Sequence, residues 1–448
     1  MSNRERTGAP HAKRAMAGRA GRLFVLTILA ALAGVFEAQG LVVGPFDVVG
    51  SYEGFFITSQ TFGQPLTSLQ GTMTVKVLSE GGRLTAKATV QGRVLNFRAS
   101  EWDTNAEPVC TVELTARGGE KLTLLVINGA ILSGGIQGGS LGGTMMQLIG
   151  GRNRFADLAD TEAQALLASC RGYYTMFLPA GGAISQGTAQ AAPLGYGYLT
   201  MTVGSGGRVR IAGLLADGTR VSQSTRLVYQ GGGPGVYVPF FVKLYNKRGW
   251  FSAILMIMSD TGIVVSAASS CWDKPGAGPD GFQMALGAQG KKYVLPPYLA
   301  AEYRFYAVHP GGMLYYTRAG TAPYVVGAIP FGIGVETSGM RLVMDEGVNP
   351  VKNEDGTYTY PAGNSALATL TFSPVTGLLK GKFNVYFDYL DVTGLPVHKK
   401  VKASFAGVMT SLSGPLSGMG FYLLPDNNPS VAAYRLKRSF MVVLQPPL

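Results

Sequence analysis

Histidine, cysteine and charge are all scarce in this chain. Its 448 residues include three histidines (His11, His309 and His398) and three cysteines (Cys110, Cys170 and Cys271). The cysteines lie far apart without C-x-x-C spacing, and no H-E-x-x-H pattern occurs, so the usual zinc sites are excluded. No G-x-x-x-x-G-K-[ST] loop exists either; residues 44–51 (GPFDVVGS) lack the lysine that would reach a phosphate. No metal and no cofactor is expected. Charged residues make up 14% and form no dense basic run in the body of the chain, so nucleic acid is not an expected partner. Hydrophobic residues reach 46%, which excludes a disordered chain. Glycine is abundant but has no G-X-Y period, which excludes collagen.

Long apolar runs are also missing, with one exception. Residues 23–35 (LFVLTILAALAGV) would reach about 20 Å as a helix, short of a hydrocarbon core of roughly 30 Å. The run follows Arg4, Arg6, Lys13, Arg14, Arg19 and Arg22 and precedes small residues, the pattern of a signal peptide over residues 1–40. Cleavage fits after Ala33 or after Gly40, and the second leaves the apolar run whole. No cysteine follows, so no lipid anchor is expected, and removing the segment leaves no transmembrane span. Residues 1–40 hold six basic and two acidic residues, leaving 32 against 24 and a net charge of +8 elsewhere. That excess permits long-range attraction to anionic polysaccharide, lipopolysaccharide or nucleic acid, although without a dense basic run it reads first as an ordinary solvated surface.

What the chain does have is alternation of period two. In residues 83–90 (RLTAKATV), Leu84, Ala86, Ala88 and Val90 share one face, opposite Arg83 and Lys87. Residues 208–215 set Val209, Ile211 and Leu215 against Arg208 and Arg210, and residues 400–408 set Val401, Ala403 and Phe405 against Lys400 and Lys402. Each is a strand with a dry face and a charged face. Glycine pairs and Asp-Gly pairs between the runs are hairpin signals. A membrane barrel would turn its apolar band outward, whereas lysine and arginine here occupy the opposite face, so a soluble sheet protein is expected. Residues 250–258 (WFSAILMIM) read as a strand covered on both faces. One helix is predicted in residues 156–169, with Thr161 and Gln164 as a capping box.

The expected fold is therefore all-β, an antiparallel meander forming one or two barrel-like units. The first unit is placed at 49–155, the helical linker at 156–169 and a larger second unit at 170–430, with a weaker break at 291–299, where Pro296-Pro297 follows Tyr293-Val294. Residues 49–57 (VGSYEGFFI) resemble residues 170–178 (CRGYYTMFL) as glycine-aromatic strand openers, and residues 367–408 form a looser third instance. The three cysteines are expected as buried thiols, since a large core needs no staple, although one pair could bridge in an oxidising compartment.

The segments GSYEGFF, GYYTMFLP, GYGYLTMTVGSGGRVRIAGLLADGTRVSQSTRLV, VYVPFFVKLYNKRGWFSAILMI and LTFSPVTGLLKGKF…KKVKASFAGVM…GMGFYLL stand in one order. That order, over about residues 49–425, resembles a β-rich module of large secreted or surface proteins of planctomycete and verrucomicrobial bacteria. The resemblance implies an extracytoplasmic, non-catalytic module. Two departures are the lack of an upstream repeat array and a longer insert at 335–361.

Chemical motifs are few. Gly138-Gly139-Ser140-Leu141-Gly142 satisfies G-x-S-x-G, but a nucleophile elbow needs a helix after it, and residues 143–148 (GTMMQL) read as a strand. His309 and His398 are the only candidate bases. Asn353-Glu354-Asp355-Gly356 could begin a calcium loop, yet lacks the closing glutamate and reads as a hairpin turn. Carboxylate pairs for glycoside chemistry would meet only in the folded state. Tyr315, Tyr316, Tyr358, Tyr360, Tyr386 and Tyr389 are candidates to stack on sugars, while Trp250 and Trp272 are assigned to structure. The reading taken is an exported, non-catalytic envelope or extracellular protein with a structural or adhesive role. Its expected partner is an envelope polymer or another surface protein. The alternative is a glycan-binding module, and a secreted hydrolase ranks behind both.

Overall fold

A computed structural model describes residues 48–58, 69–79, 83–100, 109–143, 145–179, 184–187, 192–229, 235–258, 263–266, 270–276, 281–294, 297, 299–308, 333–390, 393–411, 415–425 and 437–446. The side chains of 184–187, 235, 263–266, 308, 387–390 and 399 are excepted. The expected signal peptide and both cleavage sites lie outside the described residues, as do His11, His309, Tyr315 and Tyr316.

The alternating runs become strands of three large antiparallel sheets. The first contains β1 (Gly50–Thr58), β2 (Leu69–Val77), β3 (Leu84–Val90), β4 (Arg93–Ala99), β5 (Val109–Thr115), β6 (Glu120–Ile127), β7 (Ile131–Gly138) and β8 (Met146–Arg152). Each pairs with its sequence neighbours, and β8 returns to β1, so that only the β4 and β5 edges remain unpaired. The sheet is thus a nearly closed eight-stranded barrel, which removes most of the exposed edge. On β3 the four apolar residues point into the barrel and are buried, while Lys87 is exposed. Asn128-Gly129 forms the centre of the three-residue β6–β7 turn with both φ angles positive (51° and 61°), and the Ala130 N–H closes it on the Ile127 carbonyl at 3.1 Å.

The helix α1 (Thr161–Cys170) follows the first barrel. Its cap differs from the expected capping box: Asp160, one residue earlier, accepts from the Ala163 N–H at 3.0 Å. Arg154 grips the same carboxylate through Nε at 2.5 Å and Nη2 at 2.9 Å. Gln164 instead donates to the carbonyls of Phe155 and Asp157, tying the helix to the preceding turn.

The residues predicted as one second unit hold two sheets. The middle one contains β9 (Gly172–Leu178), β10 (Ile184–Gly187), β11 (Gly197–Val203), β12 (Arg208–Leu214), β13 (Arg220–Arg226), β14 (Gly235–Leu244), β15 (Gly249–Met258), β16 (Ile263–Ser266), β17 (Cys271–Lys274), β18 (Phe282–Met284) and β19 (Gln289–Lys292). Eight of these (β9, β11–β16 and β19) follow one another round a ring in the order of the first barrel. The β13–β14 gap is crossed by the Val228–Tyr237 bridge and by the Phe241 N–H donating to Gln223 Oε1 at 2.7 Å. β17, β18 and β10 branch from β15.

The third sheet contains β20 (Glu302–Val308), β21 (Ile333–Ser338) and β22 (Arg341–Met344), then, after a separate small hairpin of β23 (Val351–Lys352) and β24 (Tyr358–Thr359), β25 (Thr369–Ser373), β26 (Leu378–Leu390), β27 (Pro396–Thr410), β28 (Ser417–Pro425) and β29 (Lys437–Gln445). It too is a nearly closed barrel of eight strands, with β29 returning to β20. Its interior is aromatic: Phe305 lies 4.8 Å from Phe405, and Phe383 lies 5.0 Å from Tyr422 between ring centroids. Eight strands leave a barrel interior just wide enough for side chains to fill. The change of sheet falls between Lys292 and Glu302, at the weaker break expected at 291–299; a period-two pattern is the same in every such sheet, so alternation alone did not separate the two.

Each barrel opens on a strand with a buried tyrosine bonded to the backbone just upstream. Tyr52 donates to the Val48 carbonyl at 2.9 Å, Tyr174 to the Cys170 carbonyl at 2.6 Å, and the Tyr303 hydroxyl meets the backbone of Ala300. These bonds fix where the chain turns into each barrel, in the manner of a tyrosine corner.

The opening strands also dock the barrels together. Phe55, Ile57 and Leu69 on the outside of the first barrel pack against Val228 and Ile254 of the middle one. Each such side chain contributes roughly 1.5–3 kcal/mol when removed from water. β9 is covered by the third barrel, where Thr175 donates to the Met409 carbonyl at 2.8 Å; just before β11 the Leu194 N–H donates to the Ser439 carbonyl at 3.1 Å. Burial on both faces explains the unbroken apolar stretches GFFI and MFL. β15 behaves as its sequence predicted, buried along most of both faces.

Apolar side chains thus fill the rings while Lys87, Arg208, Arg210 and Lys402 face outward, the reverse of a barrel in lipid. Among the described residues no helix is long and apolar enough to cross a membrane.

Candidate functional site

The longest hairpin among the described residues carries the best candidate. β26 and β27 pair from Leu378–Val408 to Leu390–Pro396, but β25 reaches only as far as Lys382 and β28 only as far as Ser404. The distal half of the hairpin therefore runs beyond its ladder neighbours. The insert at residues 345–368 covers it. Asn364 anchors that insert: its side chain donates to the Asp345 and Ala368 carbonyls and accepts from the Ala368 N–H at 2.6 Å.

The insert brings the β23–β24 hairpin against the tip, where four rings meet. The Tyr358 ring stacks on His398 with centroids 3.6 Å apart and planes 15° from parallel. Tyr386 lies 5.3 Å away from His398, also stacked, so the imidazole stacks with two phenol rings. Tyr360 flanks Tyr386 at 5.3 Å, and its hydroxyl lies 3.4 Å from His398 Nδ1. Tyr386 is 2% exposed and forms the floor, with its hydroxyl donating to the Ser365 carbonyl at 3.2 Å. It is a buried support, not the exposed stacking residue the sequence suggested. Tyr358 and Tyr360 are half-buried, and Thr359, Lys352 and Lys400 stand exposed around them. The side chain of Tyr389 lies outside the described residues.

This ledge offers an amphipathic ring face edged by hydroxyls, amides and two ammonium groups, a combination suited to a sugar ring. The turn beside it is the hairpin expected of Asn353–Gly356. Asp355 Oδ1 accepts from both the N–H and the hydroxyl of Thr357, which hold its carboxyl below the usual range, and Gly356 adopts φ 84°.

Ser140 sits in a short 3-10 turn between β7 and β8, with no helix behind it. Its hydroxyl and N–H both donate to Glu120 Oε1, at 2.5 and 3.2 Å. Those bonds hold the Glu120 carboxyl below its ordinary value, which makes it a poor general base. His398, the described histidine, belongs to the aromatic ledge. Trp272 is fully buried and donates to Tyr245 at 3.0 Å; Trp250 lies half-buried on β15. Cys110, Cys170 and Cys271 are buried thiols with no disulfide among them, and burial pushes the Cys271 thiol up to about 11.

Sequence reasoning singled out Tyr358, Tyr360 and Tyr386 but considered His398 only as a base. The packing of the separate β23–β24 hairpin that sets Tyr358 on the His398 ring had no local signal. No protein-family model matches the chain, and no curated protein matches it.

Proposed function

We propose that this chain is an exported, non-catalytic protein of the cell envelope or extracellular space, with a structural or adhesive role. The observation that carries the reading is the docking of packed barrels, the first against Val228 and Ile254 of the middle one and β9 of the middle one against the third, which makes one continuous scaffold instead of separate carriers of interior ligands. The basic and apolar segments of residues 1–40 and the order of motifs shared with bacterial surface modules support export. A reporter enzyme active only outside the cytoplasm, fused after residue 48, tests it. Activity that depends on residues 23–35 is expected, and an inactive fusion would refute export.

The ledge favours a second reading, in which the scaffold holds a glycan. Stacking a pyranose on Tyr358 predicts saturable binding on a glycan array, weakened roughly tenfold by Tyr358→Ala through loss of the ring contact. Arrays that bind nothing, or binding indifferent to Tyr358→Ala, would remove the glycan reading and leave the scaffold role standing.

A further inference from the structure

A second polar feature, independent of the ledge, lies between the first and middle barrels. Arg208, Arg210 and Arg226 share the outward face of β12 and β13, and the register sets Arg208 directly opposite Arg226 and Arg210 opposite Ser224. Like charges opposed across a ladder are destabilising. Departures of this kind from local rules concentrate at functional sites. The three arginines line a cleft of about 380 Å³ together with Glu53, Gly54, Thr72, Thr74, Gln223 and Ser224.

Glu53 supplies the only negative charge in that lining. Its Oε1 lies 3.3 Å from Arg226 Nε, and its Oε2 accepts from the Thr74 hydroxyl at 2.9 Å. Arg226 also donates to the Gly206 carbonyl. Among the described residues no carboxylate stands within ion-pair distance of Arg208 or Arg210. Gln223 accepts through Oε1 from Phe241, which leaves its amide NH₂ as a donor. Gly54 narrows nothing, having no side chain. The lining therefore holds two more positive charges than negative ones, and more donors than acceptors.

We propose that this cleft is an oxyanion site, taking a carboxylate, sulfate or phosphate group between the two barrels, with Arg208 and Arg210 as its binding cations. Planar guanidinium groups match such anions with paired hydrogen bonds. Arg226 is shared between the ligand and Glu53. Burial raises the Glu53 carboxyl despite Thr74, Arg226 and Lys76 beside it.

Titration calorimetry on the full chain tests the site with inorganic sulfate, dextran sulfate and neutral dextran as probes. Binding of dextran sulfate but not inorganic sulfate identifies a polymer-borne group; binding of inorganic sulfate as well identifies a free anion as sufficient. Either supports the site, provided neutral dextran is inert. Arg208→Ser with Arg210→Ser should weaken binding by about tenfold or more. Lys382→Ser with Lys402→Ser, which removes the same charge from exposed positions of the third barrel, should leave it unchanged. Glu53→Gln should tighten binding, and circular dichroism checks that each variant is folded. Equal losses in the two double variants would assign binding to net charge and overturn the proposal. So would the absence of binding by either sulfate probe.

Discussion

Tyr174→Phe tests how far the opening tyrosines hold the barrels together. The substitution removes one oxygen and leaves the ring, so no cavity opens. Tyr174 and Cys170 are both 0% exposed, and the lost bond is 2.6 Å long. An exchanged hydrogen bond is worth about 0.5–1.5 kcal/mol net, but a buried group left unsatisfied costs about 1–3 kcal/mol. The Cys170 carbonyl ends α1 in a place water does not reach, so the upper half of that range applies, about 1.5–3 kcal/mol. With a urea slope of about 2–3 kcal/mol/M, the unfolding midpoint should fall by roughly 0.5–1.5 M. Trp272 lies fully buried in the same core, so tryptophan fluorescence reports the transition directly. Tyr358→Phe, altering a half-buried ring, serves as the control and should shift the midpoint little. A Tyr174→Phe midpoint no lower than that of the control would refute the argument that this bond anchors the barrel.

Two further outcomes concern pH. Burial raises the phenols of Tyr174, Tyr245 and Tyr422 and pushes Tyr293 up to about 12. Because the unfolded groups titrate near 10, their contribution is complete below about pH 10 and is lost as pH rises through the folded values. Tyrosinate absorbance should therefore rise in two steps, the second coinciding with loss of the circular dichroism signal; a single smooth titration near pH 10 would contradict this. Asp160 caps α1 and pairs with Arg154, which holds its carboxyl below the ordinary value. Asp160→Ala should cost about 1–2 kcal/mol at neutral pH. The difference from wild type should persist above about pH 4 and shrink as pH falls through the folded value; a difference independent of pH would show that the ion pair adds nothing.

Period-two alternation was legible because it is local: a strand with one side in a core needs an apolar residue at every second place. Lys87 and Lys402 stand outside for that reason, and Leu84 and Ala403 inside. The helix was also legible, though its cap was not, because Asp160 is chosen by Arg154 as well as by the helix. Two openers announced themselves through glycine and adjacent aromatics. The third, at Glu302–Val308, has no glycine, and only its place beside β29 identifies it.

The sequence by itself determined the class of structure, the inward and outward faces of its strands and the positions of many turns, since all of these depend on residues a few places apart. Tertiary structure alone decided that the described strands form three large sheets, that His398 stacks with both Tyr358 and Tyr386, and that Arg208 faces Arg226 beside Glu53. Those facts depend on strand register and barrel docking, which join residues tens to hundreds of positions apart. No short window of sequence encodes which partner a strand will meet.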